Sequence, residues 1–530
     1  MEALGFGNVA TSILAGIALI LFYCWYSTRH YQYWKEINVP FVKPWPVFGS
    51  LFETYRQSLH VFEIERYKKY GEVYGHFEGS RPVLSVADPV LLRKILVKDF
   101  NMFPNRRTFV TGEPSVDLSV ASLEGEDWKR VRSIITPTFT TGKLKRMISI
   151  FKEGSQVCVN NFMQYAKSGK PVDVKIFFEA FGMDIIASTA FSTKVDSQND
   201  PQNKFVTSAR EFFKKFFGWR FLLFLTFPKF VKFMRLSALP LTELYFFRDM
   251  ALKIIEERKN TGKVRNDFLQ LLLDTAKETE DKETREKEAD NLTENYGKEE
   301  LSEQLFKTAG KKQLSNIEVV AQCVLFFFAG FDATASAMSF VFYELALNPD
   351  VQEKLIAEID EVLASSDGKL TYDTIQNMKT LDNVISESLR IFPPAVRLER
   401  VAHEDYDLGY KGIKLTKDMI VTIPCIAIHN DPKYYPEPEK FNPDRFLPEE
   451  RAKRDQLVYM PFGFGPRNCI GMRFVLIAMK VCIAFLLSNF KFKKCSQTKV
   501  PIEFLPSQIL LRPKEIMLQL EIRKDSIKAK

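Results

Sequence analysis

Residues 462–471 read Phe-Gly-Phe-Gly-Pro-Arg-Asn-Cys-Ile-Gly, a glycine-rich stretch that sets one thiol, Cys469, just before the apolar run 472–490. That run predicts a buried helix, and the partial positive charge at its N-terminus favours thiolate over thiol at Cys469. A thiolate is a metal ligand. Gly463, Gly465 and Gly471 let the backbone come close to a flat, bulky group. Arg467, two residues before the cysteine, suits bidentate pairing with a carboxylate on such a group. Taken alone, Cys469 reads as an ordinary buried cysteine in a turn, the usual status of a free cysteine.

The pattern Phe-x-x-Gly-x-Arg-x-Cys-x-Gly closely resembles the haem-binding loop of the cytochrome P450 monooxygenases. The resemblance implies haem b as cofactor, Cys469 as its thiolate ligand, and Phe462, Gly465, Arg467 and Gly471 as the residues that shape the loop around it. Thiolate ligation directs haem iron toward oxygen activation rather than storage, which makes O2 a co-substrate.

Three other constellations bear on this. Trp128 and Arg132, four residues apart on an expected helix beginning at Glu126 and Asp127, point the same way and can jointly hold one carboxylate, or form a plain surface pair. By resemblance they are haem propionate ligands, with Arg106 and Arg400 as further ones. Residues 326–334 read Phe-Phe-Phe-Ala-Gly-Phe-Asp-Ala-Thr inside the longest helical pattern of the chain, 315–347, which opens on a Ser-x-x-Glu capping signature at Ser315 and Glu318. Small Ala329 and Gly330 permit close approach of a ligand, and Asp332 is a lone carboxylate in apolar surroundings that needs a reason. The run resembles the family's oxygen-binding segment, Ala-Gly-x-Asp-Thr, but has Ala333 where the family has threonine and a hydroxyl one residue later, on Thr334. Asp332, Ala333 and Thr334 are therefore the candidate proton-delivery residues. Glu387 and Arg390 sit at i, i+3 on a helix ending at Pro393 and Pro394. By resemblance they form a structural lock with Arg445.

These side chains need elements to position them. Residues 9–26 carry no charge and are followed by Arg29 and Lys35, with Trp25, Tyr26, Tyr31, Tyr33 and Trp34 clustered at the same end, which predicts a membrane span with its C-terminal side in the cytoplasm. A cleaved secretory signal would want a basic start and a small-residue cleavage site. Three prolines within 40–46 stiffen the chain between anchor and body, as in the hinge of microsomal P450s. Beyond them we expect an amphipathic helix over 59–70, a strand pair over 73–86 broken at Glu78-Gly79-Ser80, short strands over 397–401 and 414–423, and a strand hairpin over 508–522 lining the pocket. Residues 204–234 are crowded with phenylalanine and basic residues, which suits part core and part bilayer interface. The charged run 277–313 cannot bury a core and is expected to be a solvated loop.

At 530 residues with 46% apolar and 13% aromatic content, the chain buries a large core. A net charge of +8 with both signs interleaved argues against nucleic acid as a partner. Seven cysteines without zinc or disulfide spacing read as reduced and cytosol-facing. No glycine-rich nucleotide or flavin motif is present, so electrons must come from elsewhere. The expected architecture is mainly α with small β-sheets, the cytochrome P450 fold behind one N-terminal transmembrane helix, with 1–36 as anchor and 37–530 as haem-thiolate catalytic domain. The resemblance implies a microsomal, endoplasmic-reticulum enzyme that oxidises lipophilic small molecules, and within the family it points to the insect detoxification branch. It takes electrons from NADPH-cytochrome P450 reductase, with cytochrome b5 a further candidate donor, across a face where Lys129, Arg130, Lys143, Lys145 and Arg473 collect. A haem-thiolate lyase or isomerase acting on peroxides, and a non-enzymatic haem carrier or sensor, stay open as alternatives.

Overall fold

The structure, a computed structural model, describes the chain apart from residues 1, 56, 108–110, 192, 198, 201, 217–230, 232–233, 235–238, 263, 266, 276–312, 506–509 and 525. The charged run and much of the phenylalanine-rich segment lie outside the described residues.

The first helix runs Glu2–Thr28; the stretch Thr11–Glu36 that begins within it is long and apolar enough to cross a membrane and leaves Leu14, Leu21 and Phe22 more than half exposed. Uncovered apolar side chains along one helix are what a bilayer would bury. The central helix, Asn316–Leu347, passes the same test of length and hydropathy, but it is the buried core helix of the body. Ser315 and Glu318 complete the expected capping box at its start. At 32 residues it runs for about 48 Å through the body. The helix Val174–Ala190 packs along it so closely that a side chain at Gly182 would come within 3.1 Å of the Phe331 carbonyl. The helix Met472–Leu487, buried along nearly its whole length, packs on Thr141–Ser168.

Among the described residues nine short strands form three sheets. β1 (Val73–Glu78), β2 (Arg81–Val86), β7 (Ile420–Ile423) and β4 (Leu398–Val401) make one sheet in the order β1-β2-β7-β4. β3 (Val172–Asp173), β9 (Met517–Ile522) and β8 (Phe490–Lys494) make a second in the order β3-β9-β8, and β5 (Tyr406–Asp407) pairs with β6 (Lys414–Leu415). The single strand expected over 414–423 is thus two strands in different sheets, because Asp418 adopts a left-handed φ of 64° between them. The C-terminal strand pairs mainly with β8 rather than folding back on its own neighbours.

The proline-rich segment is pinned rather than free. Val42 N–H donates to the Gly75 carbonyl at 2.9 Å, and Gly75 N–H donates to that of Pro40 at 2.8 Å. Trp34, expected at the bilayer surface, is fully buried instead, with its indole donating to the His76 carbonyl and its ring against Gly75, where a Cβ would meet it at 2.3 Å. Of the phenylalanine-rich segment, Phe205, Phe212 and Phe213 lie in helix Lys204–Phe216 and are core, Phe212 stacking on Phe328 with ring centroids 3.7 Å apart.

Candidate active site

A cavity of about 600 Å³ lies between the central helix and the 462–471 loop. The loop is closed by Cys469 N–H donating to the Phe462 carbonyl at 2.8 Å and Asn468 N–H donating to that of Gly465 at 2.9 Å. Gly463 and Gly465 both take φ of 76°, a conformation that penalises any side chain. At Gly465 the neighbour is protein: a Cβ there would sit 2.1 Å from the Leu96 carbonyl oxygen, and the residue does not line the cavity. Phe462, Gly463, Arg467, Cys469 and Gly471 do line it.

Cys469 is the one cysteine among the cavity-lining residues. Its side chain is uncovered, yet the space it faces is internal. Removal from bulk water therefore raises the thiol pKa, and the opposing pull of the Gly471 and Met472 N–H groups and of Arg132 and Arg106 does not overcome it. The helix N-terminus is in place as expected, but thiolate formation needs a stronger cation at the sulfur. Among the described residues no group of three His, Cys, Asp or Glu side chains gathers as a metal site, so a metal here would arrive within a cofactor.

The arginines around the loop show what that cofactor carries. Arg106, Arg400 and Arg467 line the cavity, Arg400 and Arg467 fully buried and Arg106 half-buried, and form no ion pair among the described residues. Arg106 donates to the Arg467 carbonyl, Arg400 to that of Glu399, and Arg467 to that of Leu123. Nε of Arg400 and Nε and Nη1 of Arg467 have no partner. Burial and the neighbouring guanidiniums push Arg467 down to about 8 and Arg400 to about 9. Such a cluster is costly without anions and suits a ligand bearing more than one carboxylate. Trp128 lies under Arg467, 4.3 Å from its guanidinium carbon to the ring centroid, and Arg132 donates to Asn468 Oδ1 at 2.8 Å. Both are buried and line the cavity, which removes the surface-pair reading. The residues fit a flat iron chelate with two carboxylates.

The cavity also has a second set of arginines, all paired. Arg397 bridges Glu63, Glu78 and Glu399 at 3.3, 3.1 and 2.8 Å. Arg107 joins Glu78 and Glu399, and Arg66 joins Glu53. Burial would lower Arg397 and raise Glu78, but the opposite charges win and hold each well on its charged side.

On the central helix Ala329, Gly330, Ala333 and Ala337 face the cavity at helical spacing. Gly330 is also demanded by packing, since a Cβ there would meet Ile186 Cδ1 at 2.6 Å. Asp332 and Thr334 do not line the cavity. Asp332 is not the lone carboxylate of the sequence reading: its Oδ1 is 2.8 Å from Arg512 Nε, while Oδ2 has no partner. Burial raises it to about 6 despite Arg512. Thr334 is buried on the flank, because one residue turns the helix by about 100°.

Glu387, Arg390 and Arg445 meet as expected. Arg390 Nε and Arg445 Nε lie 2.7 and 3.2 Å from Glu387, and Arg390 also donates to the His429 carbonyl. The surface basic residues are less free than the sequence suggests. Arg130 pairs with Glu318, the capping residue of the central helix, and Lys129 and Lys145 pair with Glu126 and Asp373. Sequence reasoning missed Arg512, Asn468 and the paired ring at Arg397. Only for the last was there a signal, the Arg-Leu-Glu-Arg run at 397–400 on an expected strand.

The comparisons with known proteins agree with this geometry. The family described as Cytochrome P450 matches residues 39–520. The chain is 40% identical to cytochrome P450 3A5 of Homo sapiens over 525 residues, covering 97% of each chain. It is 38% identical to cytochrome P450 3A7 of Homo sapiens and 38% identical to cytochrome P450 3A14 of Cavia porcellus, covering 98% of each chain in both cases. These relatives are mammalian; the insect branch rests on the sequence features alone. With one thiol and an arginine cluster that has no ion pair among the described residues facing one cavity, and likeness running almost from end to end, the chain belongs to the cytochrome P450 family of haem-thiolate monooxygenases.

Proposed function

We propose that this monooxygenase inserts one oxygen atom from O2 into lipophilic small molecules, xenobiotics or endogenous lipids and steroids, with electrons relayed from NADPH by a separate reductase. It is held at the endoplasmic reticulum by Glu2–Thr28, with residues 37–530 as the cytoplasmic catalytic domain. The observation that carries the reading is the meeting of Cys469 with arginines that form no ion pair among the described residues, on one cavity whose remaining wall is largely apolar. Cys469 is the metal ligand, and Arg106, Arg132, Arg400, Arg467 and Trp128 hold the carboxylates. Haem bound there supplies the activation of O2.

The chain's own part is to exclude water, orient the substrate and move protons. Ala329, Gly330 and Ala333 give the substrate a smooth wall without a hydroxyl. Asp332 Oδ2 is the proton-holding atom, poised near neutrality by burial against Arg512 and reaching the cavity through an ordered water. Thr334 orients that water only where the helix is locally distorted. The test is product formed with reductase, NADPH and O2, compared with product from a lipid hydroperoxide alone. Dependence on O2 and reductase supports the proposal. Turnover of the hydroperoxide without either establishes the lyase reading, which Ala333 on the cavity wall favours.

A further inference from the structure

Along the central helix from Val319 to Phe331 every side chain is apolar, absent or a thiol, with one exception, Gln322. It is fully buried and does not line the cavity, so it is neither a surface residue nor a ligand contact. Its amide is used completely. Oε1 accepts from the Val120 N–H at 2.9 Å, while Nε2 donates to the Leu118 carbonyl at 2.9 Å and to the Glu318 carbonyl of its own helix at 3.0 Å. One side chain thus grips the backbone on both sides of Ser119, in the loop that follows the short helix Pro114–Asp117.

The grip joins two strips of the cavity wall. Val120 and Ala121 line the cavity from the loop. Leu325 and Phe326, three and four residues after Gln322 and therefore on its side of the helix, line it from the helix. Within the loop the Ser119 carbonyl accepts from the N–H groups of Ser122 and Leu123, both at 2.9 Å, which makes the stretch one compact turn. Its far end is held by Arg467, which donates to the Leu123 carbonyl at 2.8 Å. An apolar side chain at 322 would suit its neighbours on the helix, but it would release the Val120 N–H and the Leu118 carbonyl and leave the turn fixed at that far end alone.

We propose that Gln322 is a positioning residue for the substrate: by clamping residues 118–121 to the central helix it fixes the separation of Val120 and Ala121 from Leu325 and Phe326, so that slender lipophilic molecules bind in preference to broad ones. The inference rests on the cavity being the substrate site of the proposed function. A slender molecule uses the wall as it stands. A broad one binds only when the clamp is open, and its affinity is reduced by the fraction of time that state is populated.

The test is equilibrium dialysis of hexylbenzene, a slender probe, and triphenylmethane, a broad one, against the haem-loaded wild type and Gln322→Met, with amide hydrogen exchange of residues 118–123 followed in both proteins. Methionine keeps the length of the side chain and removes the amide. In the variant the Val120 N–H should exchange about tenfold faster, the worth of about one buried hydrogen bond, and the preference for hexylbenzene over triphenylmethane should fall about tenfold. Should Gln322→Met fail to fold, the wild type alone decides: saturating triphenylmethane should speed exchange at Val120, and hexylbenzene should slow it. Unchanged exchange at Val120 in the variant, an equal change in affinity for both probes, or wild-type exchange indifferent to which probe is bound would each overturn the positioning role. If the wild type binds neither probe while exchange at Val120 still depends on Gln322, the substrate-site reading falls instead, and the selection by width with it.

Discussion

Two sets of arginines face the same cavity and have opposite electrostatics. Arg66, Arg107 and Arg397 sit among glutamates of the chain itself. Arg106, Arg400 and Arg467 have only carbonyls, an amide and an indole, and their charged forms are disfavoured by burial and by one another. The first set is complete as folded and closes the wall near β1. The second is complete only when an anion arrives. Arg512 stands between the two, with one carboxylate, Asp332, whose raised pKa shows that a single guanidinium does not fully offset that burial.

Breaking a paired arginine has the largest effect. Arg397→Leu strands Glu63 and leaves Glu78 and Glu399 to share Arg107 alone, and should cost about 3–5 kcal/mol of stability in chemical denaturation, with the folded fraction still binding haem. Asp332 gives the intermediate case through pH. Its folded pKa of about 6 lies above the ordinary aspartate value, so its contribution to stability is fully present below about pH 4 and is lost as pH rises through 6. Wild type should therefore lose roughly 2–3 kcal/mol relative to Asp332→Asn across that window, measured by denaturation at each pH. Removing an unpaired arginine should do the reverse of the first: Arg467→Leu leaves apoprotein stability unchanged or improved and weakens haem retention about tenfold, the value of one charge-assisted contact, in transfer to an apo-globin acceptor. The smallest effect is at the surface. Lys129→Glu should slow reduction by the reductase a few-fold at low salt and little at high salt, leaving substrate binding unchanged, because Lys129 is already partly neutralised by Glu126.

The contrast also explains what could be read without coordinates. The Cys469 loop was legible because Gly463 and Gly465 are fixed by backbone conformation, a local demand on residue type, whereas the contact of Gly465 with Leu96 is a distant one that the sequence did not show. The Glu387–Arg390 pair was legible because its geometry is set by one helical turn. The capping box and the helix at 59–70 follow from local chemistry in the same way. Illegible were the contacts between separate parts of the chain: Arg512 on Asp332, Arg397 on Glu63, and Trp34 beneath β1. A sequence shows that Asp332 is an acid among apolar neighbours, but not which distant cation the tertiary fold brings to it. The cavity face of the central helix was half legible. Periodicity shows that Ala333 and Thr334 diverge, and only the packing on Val174–Ala190 decides that the alanine is the one that faces the cavity.

The central claim is that Cys469 holds haem iron in this cavity as a thiolate. The most direct measurement is the absorption spectrum of the reduced, carbon monoxide-treated protein, wild type against Cys469→Ala. The account predicts a strongly red-shifted Soret band in the wild type and loss of that band, or of haem altogether, in the variant. A red-shifted band that survives in Cys469→Ala would contradict it.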